Sequence, residues 1–284
     1  MRTFWKTGLI VLMSATLRYT MRKGFILMSA VLLLASMSPA QTVDEIIAKN
    51  LAAKGGLAKI KAVQSITITG TMDNGGLQLT VVQIWKRPNK LRTELSLPGF
   101  TAVQAYDGQT GWQVNPMYGE SGPASLIGSH LKEIQEEADI DGPLVDYKLK
   151  GHKVELIGNE TIDATDTYHL RITLKDGSVS DVYLDAGSFL EIKERRKSIH
   201  PGPERTRETI FGDYKQVQGM VLPFSIDAHD LGFDGPGRKM LVEKVEFDVP
   251  IDDAQFKIPP PGPTPDPEVI KKGGPHCCPE SELR

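Results

Sequence analysis

From Gln64 to about residue 115, and again from His152 to about residue 258, apolar side chains tend to recur at every second position. A period of two sends successive side chains to opposite faces of an extended chain, so this pattern builds half-buried β-strands rather than helices. The segments "SITITGTM", "LQLTVVQIWK", "KLRTELSL", "TAVQAYD" and "TGWQVN" follow one another, joined by "DNGG", "RPN", "LPGF" and "DGQT". Glycine, proline, asparagine and aspartate at those corners tolerate turn dihedrals, which predicts an antiparallel meander. A second block, from "HKVELIGNETI" to "RKMLVEKVEFDV", repeats the pattern, with "KDG" at 175–177 as a hairpin turn.

Several of these strands have a wet side and a dry side. Leu91, Leu95 and Leu97 alternate with Lys90, Arg92, Glu94 and Ser96; Tyr168, Leu170, Ile172 and Leu174 alternate with His169, Arg171 and Thr173. Such strands belong to an antiparallel sheet with one solvated face, and a sheet of about ten or more of them tends to curl.

The dry face needs a cover, and two amphipathic stretches can supply it. "TVDEIIAKNLAAKGGLAKIKAV" (42–63) places Val43, Ile46, Ile47, Leu51, Leu57 and Ile60 near helical spacing, with Thr42 as N-cap and Gly55-Gly56 as a break. "ASLIGSHLKEIQEEADI" (124–140) reads as a helix with Leu126, Ile127, Leu131 and Ile134 opposite Lys132, Glu133, Glu136 and Glu137. The expected fold class is mainly β with some α: a curved antiparallel sheet covered by helices. Periodicity leaves open whether its interior is filled or hollow.

The first 40 residues fall outside this pattern. "MRKGFILMSAVLLLASMSPAQ" starts at Met21 with two cations, continues into an apolar run, and ends on Ser38 and Ala40 before Gln41. That is the build of a signal peptide cleaved after Ala40, with Met21 as the working start and residues 1–20 as upstream extension. A two-helix membrane anchor is the alternative. Residues 1–40 carry five cations and no acid, so cleavage takes the formal charge from −3 to −8. Neither value gives the basic footprint that nucleic acid requires. Residues 41–259 form the expected domain, and 260–284 a proline-rich tail read as extended or disordered.

Chemistry is sparse. Cys277 and Cys278 are adjacent and cannot staple distant segments, and with His276 they form the one local group of soft metal ligands. Histidines are scattered without paired-ligand spacing. "DIDGPLVDY" clusters Asp139, Asp141 and Asp146 without the full calcium-loop spacing and reads as a turn after the helix. Asn159-Glu160-Thr161 is a glycosylation sequon. "KERRK" (193–197) is either a solvated strand face or a contact for anionic partners. Trp85, Phe100 and Trp112 suit ring stacking or hydrocarbon contact, but also an ordinary core. No catalytic constellation, cofactor or metal site is expected, and the chain reads as a non-enzyme.

Two stretches carry a resemblance. "IWKRPNKLRTEL" contains Lys86-Arg87-Pro88, and "AYDGQTGWQVNP" contains Asp107-Gly108, Thr110, Trp112 and Asn115-Pro116. In order after a signal peptide, these resemble the LolA/LppX-type outer-membrane lipoprotein-sorting proteins, periplasmic carriers of Gram-negative bacteria. "YLDAGSFLEIK" (183–193), "FGDYKQVQGMVLPFSI" (211–226) and "VPIDDAQFKIP" (249–259) resemble later strands of the broader family. The resemblance covers about 42–259. It implies an unclosed barrel whose helices form a lid over an apolar cavity, and a monomeric carrier. Such a carrier takes acylated lipoproteins or lipids from an inner-membrane donor and delivers them to an outer-membrane acceptor. A sensor of lipid or mislocalised lipoprotein is the alternative use of such a cavity. On this chain the implied cavity wall is Leu91, Leu95, Leu97, Val103 and Trp112, with Leu126, Ile127 and Leu131 on the lid. Arg87, by motif, and Arg92 are candidates to latch the lid through its backbone carbonyls. "LPGF", the aspartate-rich "ADIDGPLVDY" and the C-terminal tail depart from the pattern, which leaves the cargo open.

Overall fold

The computed structural model describes residues 41–116, 122–197, 206–232, 235 and 237–260. Residues 1–40, on which the expected signal peptide falls, and the His276-Cys277-Cys278 group lie outside them. The elements below belong to one compact unit that begins at Val43.

Two short helices lead, α1 (Val43–Ala53) and α2 (Leu57–Ala62). Gly55 and Gly56 separate them at φ 122° and 95°, dihedrals that an L side chain resists. The strands of the first block are β1 (Ser65–Asn74), β2 (Leu77–Lys86), β3 (Lys90–Leu97), β4 (Phe100–Tyr106), β5 (Gly111–Val114) and β6 (Ala124–Ser125). Helix α3 (Gly128–Glu137) follows. The second block comprises β7 (Lys153–Ile162), β8 (Thr165–Thr173), β9 (Val179–Asp185), β10 (Glu191–Lys197), β11 (Thr206–Val217), β12 (Met220–Leu231) and β13 (Arg238–Phe247). Among the described residues a 3₁₀ turn, Asp253–Phe256, comes after β13.

All thirteen strands join one antiparallel sheet in the order β6-β5-β4-β3-β2-β1-β13-β12-β11-β10-β9-β8-β7. Only the β1–β13 pairing is non-local: it closes each meander onto the other, with Ile66 opposite Phe247 and Met72 opposite Met240. The outer strands β6 and β7 do not pair, so the sheet is an unclosed barrel.

Two adjacent residues show how far the sheet curls. Gln135 Nε2 donates to the hydroxyl of Tyr106 at the end of β4 (3.3 Å), while Glu136 pairs with Arg196 on β10 (3.3 Å). Seven strand spacings separate β4 from β10, about 33 Å in a flat sheet. A ten-residue helix is about 15 Å long. Both strands can touch neighbouring positions of α3 only if the sheet wraps around it.

The inner face holds the core in two parts. The larger joins Ile46, Ile47 and Leu51 of α1 and Ile60 of α2 to Leu170, Ile172, Leu184, Val242 and Phe247 of the sheet, with Leu144 and Val145 from the loop after α3. The smaller joins Leu126, Ile134 and Ala138 to Leu91 and Tyr106. The leading helices therefore cover the middle and the β7–β9 end, and α3 covers the β3–β5 end.

The mid-chain helix is shorter than its sequence suggests. Ala124 and Ser125 pair with Gln113 and Trp112, and Leu126 N donates to Gly111 O (2.8 Å). Ile127 stays extended, and only at Gly128 does the helix begin. Ladder bonds to an otherwise open edge of β5 outcompete the first helical turn there. No helix among the described residues is long and apolar enough to cross a membrane.

Candidate functional site

Directly opposed residues of an antiparallel ladder share a face, and that rule divides the expected wall. Leu91 opposes Trp85 and Tyr106, and Leu95 opposes Val81 and Ala102. Leu97 opposes Phe100. These residues lie on the helix-covered face. Leu91 is 1% exposed beneath α3, while Leu95 and Leu97 are partly open. At the rim of the same face Leu77 and Phe100 are 45% and 47% exposed. An apolar strip thus runs from a sealed end under α3 to an open end at the β3–β4 turn.

Val103 and Trp112 belong to the other face, against the expectation that they share a wall with the three leucines. Val103 opposes Glu94, and Trp112 opposes Ala105, which opposes Arg92. Trp112 is nevertheless 3% exposed, because the 3₁₀ turn folds over it. Its indole N–H donates to Phe256 O (2.8 Å), and Phe256 itself is fully buried. Arg92 lies 5.8 Å over the same indole and donates to Gln255 O (2.7 Å). Lys86 and Lys90 both reach Asp253 at 2.7 Å. Arg92 is therefore a clasp for the C-terminal segment, not a lid latch; strand parity sends it outward.

Arg87 does bond helix-end carbonyls. Its Nε donates to Val63 O (2.7 Å) and its Nη2 to Ile60 O (3.2 Å), the last carbonyls of α2. The rest of the guanidinium makes a two-pronged pair with Asp141, just beyond α3, at 2.8 and 2.5 Å. Neighbouring Trp85 donates its indole N–H to Glu137 O at the C-terminal end of α3 (2.9 Å). Positions 85 and 87, either side of Lys86 at the end of β2, thus tie α2 and α3 to the sheet. Asp141 lowers the cost of keeping Arg87 charged, and the Arg87 hydrogen bond holds the Asp141 carboxyl below its ordinary range.

The lid residues also separate. Leu126 is buried and Leu131 packs against the same cluster, but Ile127 is 76% exposed. Its extended backbone turns it out of the helical stripe. Ile134 is the buried centre of α3. Opposite the helix, a Cβ built on Gly111 would lie 3.1–3.3 Å from Leu126, Leu131 and Ile134. A side chain there would crowd the inner face of α3, whose side chains would have to give way by a few tenths of an ångström.

The three aspartates after α3 serve three cations: Asp139 pairs with Lys150, Asp141 with Arg87, and Asp146 with Lys61. "KERRK" divides by parity. Lys193 and Arg195 lie on the outer face beside Glu208, while Arg196 faces inward to Glu136. Sequence reasoning missed Asp141, Gln135, Glu136 and Ser178 as contact residues because each partner is distant in the chain.

Three solved structures show this fold over most of their length. A DUF1329 family protein from Desulfovibrio piger has a TM-score of 0.54 at 16% identity, covering 77% of this chain and 98% of that one. A LolA superfamily protein from Nitrosomonas europaea gives 0.51 at 14%, covering 77% and 98%. A domain described as an outer membrane lipoprotein-sorting protein from Vibrio parahaemolyticus gives 0.51 at 15%, covering 75% and 94%. No family model and no curated protein matches the chain. The fold is LolA-like.

Proposed function

We propose that the helix-covered face shelters the hydrocarbon of a lipid or of an acylated protein, and that the chain is a non-enzymatic carrier acting in the periplasm. The observation that carries this reading is the apolar strip of Leu91, Leu95, Leu97 and Phe100. It is sealed under α3 at one end and open at the other. Each methylene transferred from water to such a surface gains about 0.8 kcal/mol, so an acyl chain crossing an aqueous compartment needs an apolar host. α3 packs on the sheet through Leu131 and Ile134, and its C-terminal end is tied down by polar contacts through Trp85, Arg87–Asp141 and Glu136. Those polar ties can be exchanged for water or for a partner's groups at small net cost, and an acyl chain entering beneath the helix replaces its apolar contacts, so α3 is the element this reading moves. Similarity to an outer membrane lipoprotein-sorting domain supports the choice of acylated cargo. Donor and acceptor are then proteins at the inner and outer membranes.

Native mass spectrometry of the exported protein, purified without detergent, tests the proposal. Co-purifying lipid mass that is lost on Leu95→Glu is the expected result. Wild-type protein that stays empty when incubated with a triacylated lipopeptide overturns it.

A further inference from the structure

A cavity of about 450 Å³ lies between α3, the β8–β9 turn, β10 and the loop leading to β7. Charged side chains from separate elements line it beside the apolar surface of Pro143 and Leu174. Lys132, Gln135 and Glu136 come from α3, Lys175 and Asp176 from the turn, Arg196 from β10, and Lys150 and His152 from the loop. That volume lies in the range of small-molecule sites and exceeds what one or two waters need.

The charges in the cavity do not cancel internally. Lys150 is taken by Asp139 and by Gly142 O. Asp176 caps its own turn, accepting from Ser178 N (3.0 Å) and Ser178 Oγ (2.7 Å). Glu136 accepts from Ser178 Oγ (3.2 Å) and pairs with one end of Arg196. Burial pushes its carboxyl up to about 7, so near neutrality much of that negative charge is absent. Burial lowers the pKa of His152, whose Nδ1 accepts from Lys175 N (3.0 Å), leaving the other ring nitrogen as a donor. What remains is cationic and donor-rich. Among the described residues Lys132 and Lys175 make no close ion pair, although the Asp176 carboxylate attracts Lys132, and Arg196 Nε is buried without a hydrogen bond, 3.9 Å from Glu194 Oε1. A buried donor left without an acceptor is costly unless something supplies one.

We infer that this pocket binds an anionic headgroup, a phosphate or carboxylate on a small polar moiety, with Lys132 and Lys175 pairing its charge and Arg196 supplying a further donor. Ammonium and guanidinium donors on an oxyanion make the stronger class of hydrogen bond. The lysines sit on two separate elements, α3 and the β8–β9 turn, so a bound anion bridges the lid helix to the second strand block. The site stands whether or not the inner face carries acyl chains, because Leu95 and Leu97 are not part of it.

Isothermal titration calorimetry of the full exported chain tests this with three probes, the lipids kept below their micelle concentration: dihexanoyl phosphatidylglycerol, dihexanoyl phosphatidylcholine and inorganic phosphate. The expected result is phosphatidylglycerol binding about tenfold tighter than phosphatidylcholine, with the preference lost in a Lys132→Ser/Lys175→Ser variant and kept in Lys132→Arg/Lys175→Arg. Both lysines are exposed, so neither variant threatens folding. Phosphate alone binding with the same lysine dependence assigns the site to a free oxyanion. Equal affinity for the two lipids in wild type and serine variant, or no heat from any probe, overturns the inference. Leu95→Glu leaves the lysine-dependent preference in place, which separates failure here from failure of the carrier reading.

Discussion

Arg87 and Asp141 are 54 positions apart and meet in a two-pronged ion pair at 2.5 and 2.8 Å. The same guanidinium closes the C-terminal end of α2 through the carbonyls of Ile60 and Val63. Removing one partner strands the others in a mostly buried place. Arg87→Leu leaves a carboxylate and two carbonyls short of donors and is expected to cost about 2–3 kcal/mol. Asp141→Asn should cost less, since the carbonyl bonds survive. The pair's contribution is present above the ordinary carboxylate range. Because the Asp141 pKa is depressed, it is lost as pH falls through that lowered value. Urea unfolding of the two single variants and the double variant gives the coupling; additive losses would show that the pair does not act as a unit.

Gly111 is the point where β5 passes directly beneath α3. Gly111→Ala pushes a methyl against Leu126, Leu131 and Ile134 at 3.1–3.3 Å. Overpacking of this kind costs about 1–3 kcal/mol, and here the strain is relieved by lifting α3. Hydrogen exchange at the amides of 130–138 should accelerate in the variant while β8–β9 amides stay unchanged. Uniform acceleration across the sheet would mean that the lid does not open separately.

Trp112 belongs to the outer clasp, and its substitution separates the two faces. Trp112→Phe removes the indole donor to Phe256 O, at a cost of about 1–1.5 kcal/mol. Lipid occupancy measured by native mass spectrometry should be unaffected, whereas Leu95→Glu abolishes it. Equal loss in both would place Trp112 within reach of the ligand despite its facing the other way.

The strand alternation made most of this fold legible, because a period of two survives any arrangement of the strands in space. Leu91 and Leu95 could be placed on a dry face from their spacing alone. Trp112 could not: its burial comes from Phe256, 144 positions away, and aromaticity without register says nothing about which face it joins. Arg87 was legible through its motif, but Asp141 was hidden in an aspartate-rich turn where Asp139, Asp141 and Asp146 look alike. Only the path of the loop decides which cation each one meets. Ile127 satisfied the helical stripe and was misplaced because a two-residue strand, set by the open edge of β5, consumes the start of that helix.

Glu136 on α3 is expected to make stability depend on pH. Burial raises its carboxyl from 4.5 to about 7, with Asp176 nearby adding to the rise and Arg196 opposing it. The native state therefore keeps a proton that the unfolded chain has already released above about pH 4.5. Across the interval from 4.5 to 7 the native state binds more protons, so stability falls as pH rises through it and levels off above 7. The shift corresponds to a change of order 1–3 kcal/mol. Glu136→Gln, which stays neutral and can still meet Ser178 and Asp176, should flatten that interval and raise stability at pH 8. Urea midpoints for wild type and variant at pH 5 and pH 8 check the sign. A variant that keeps the wild-type slope would show that other groups set the pH dependence and that Glu136 is ionised throughout.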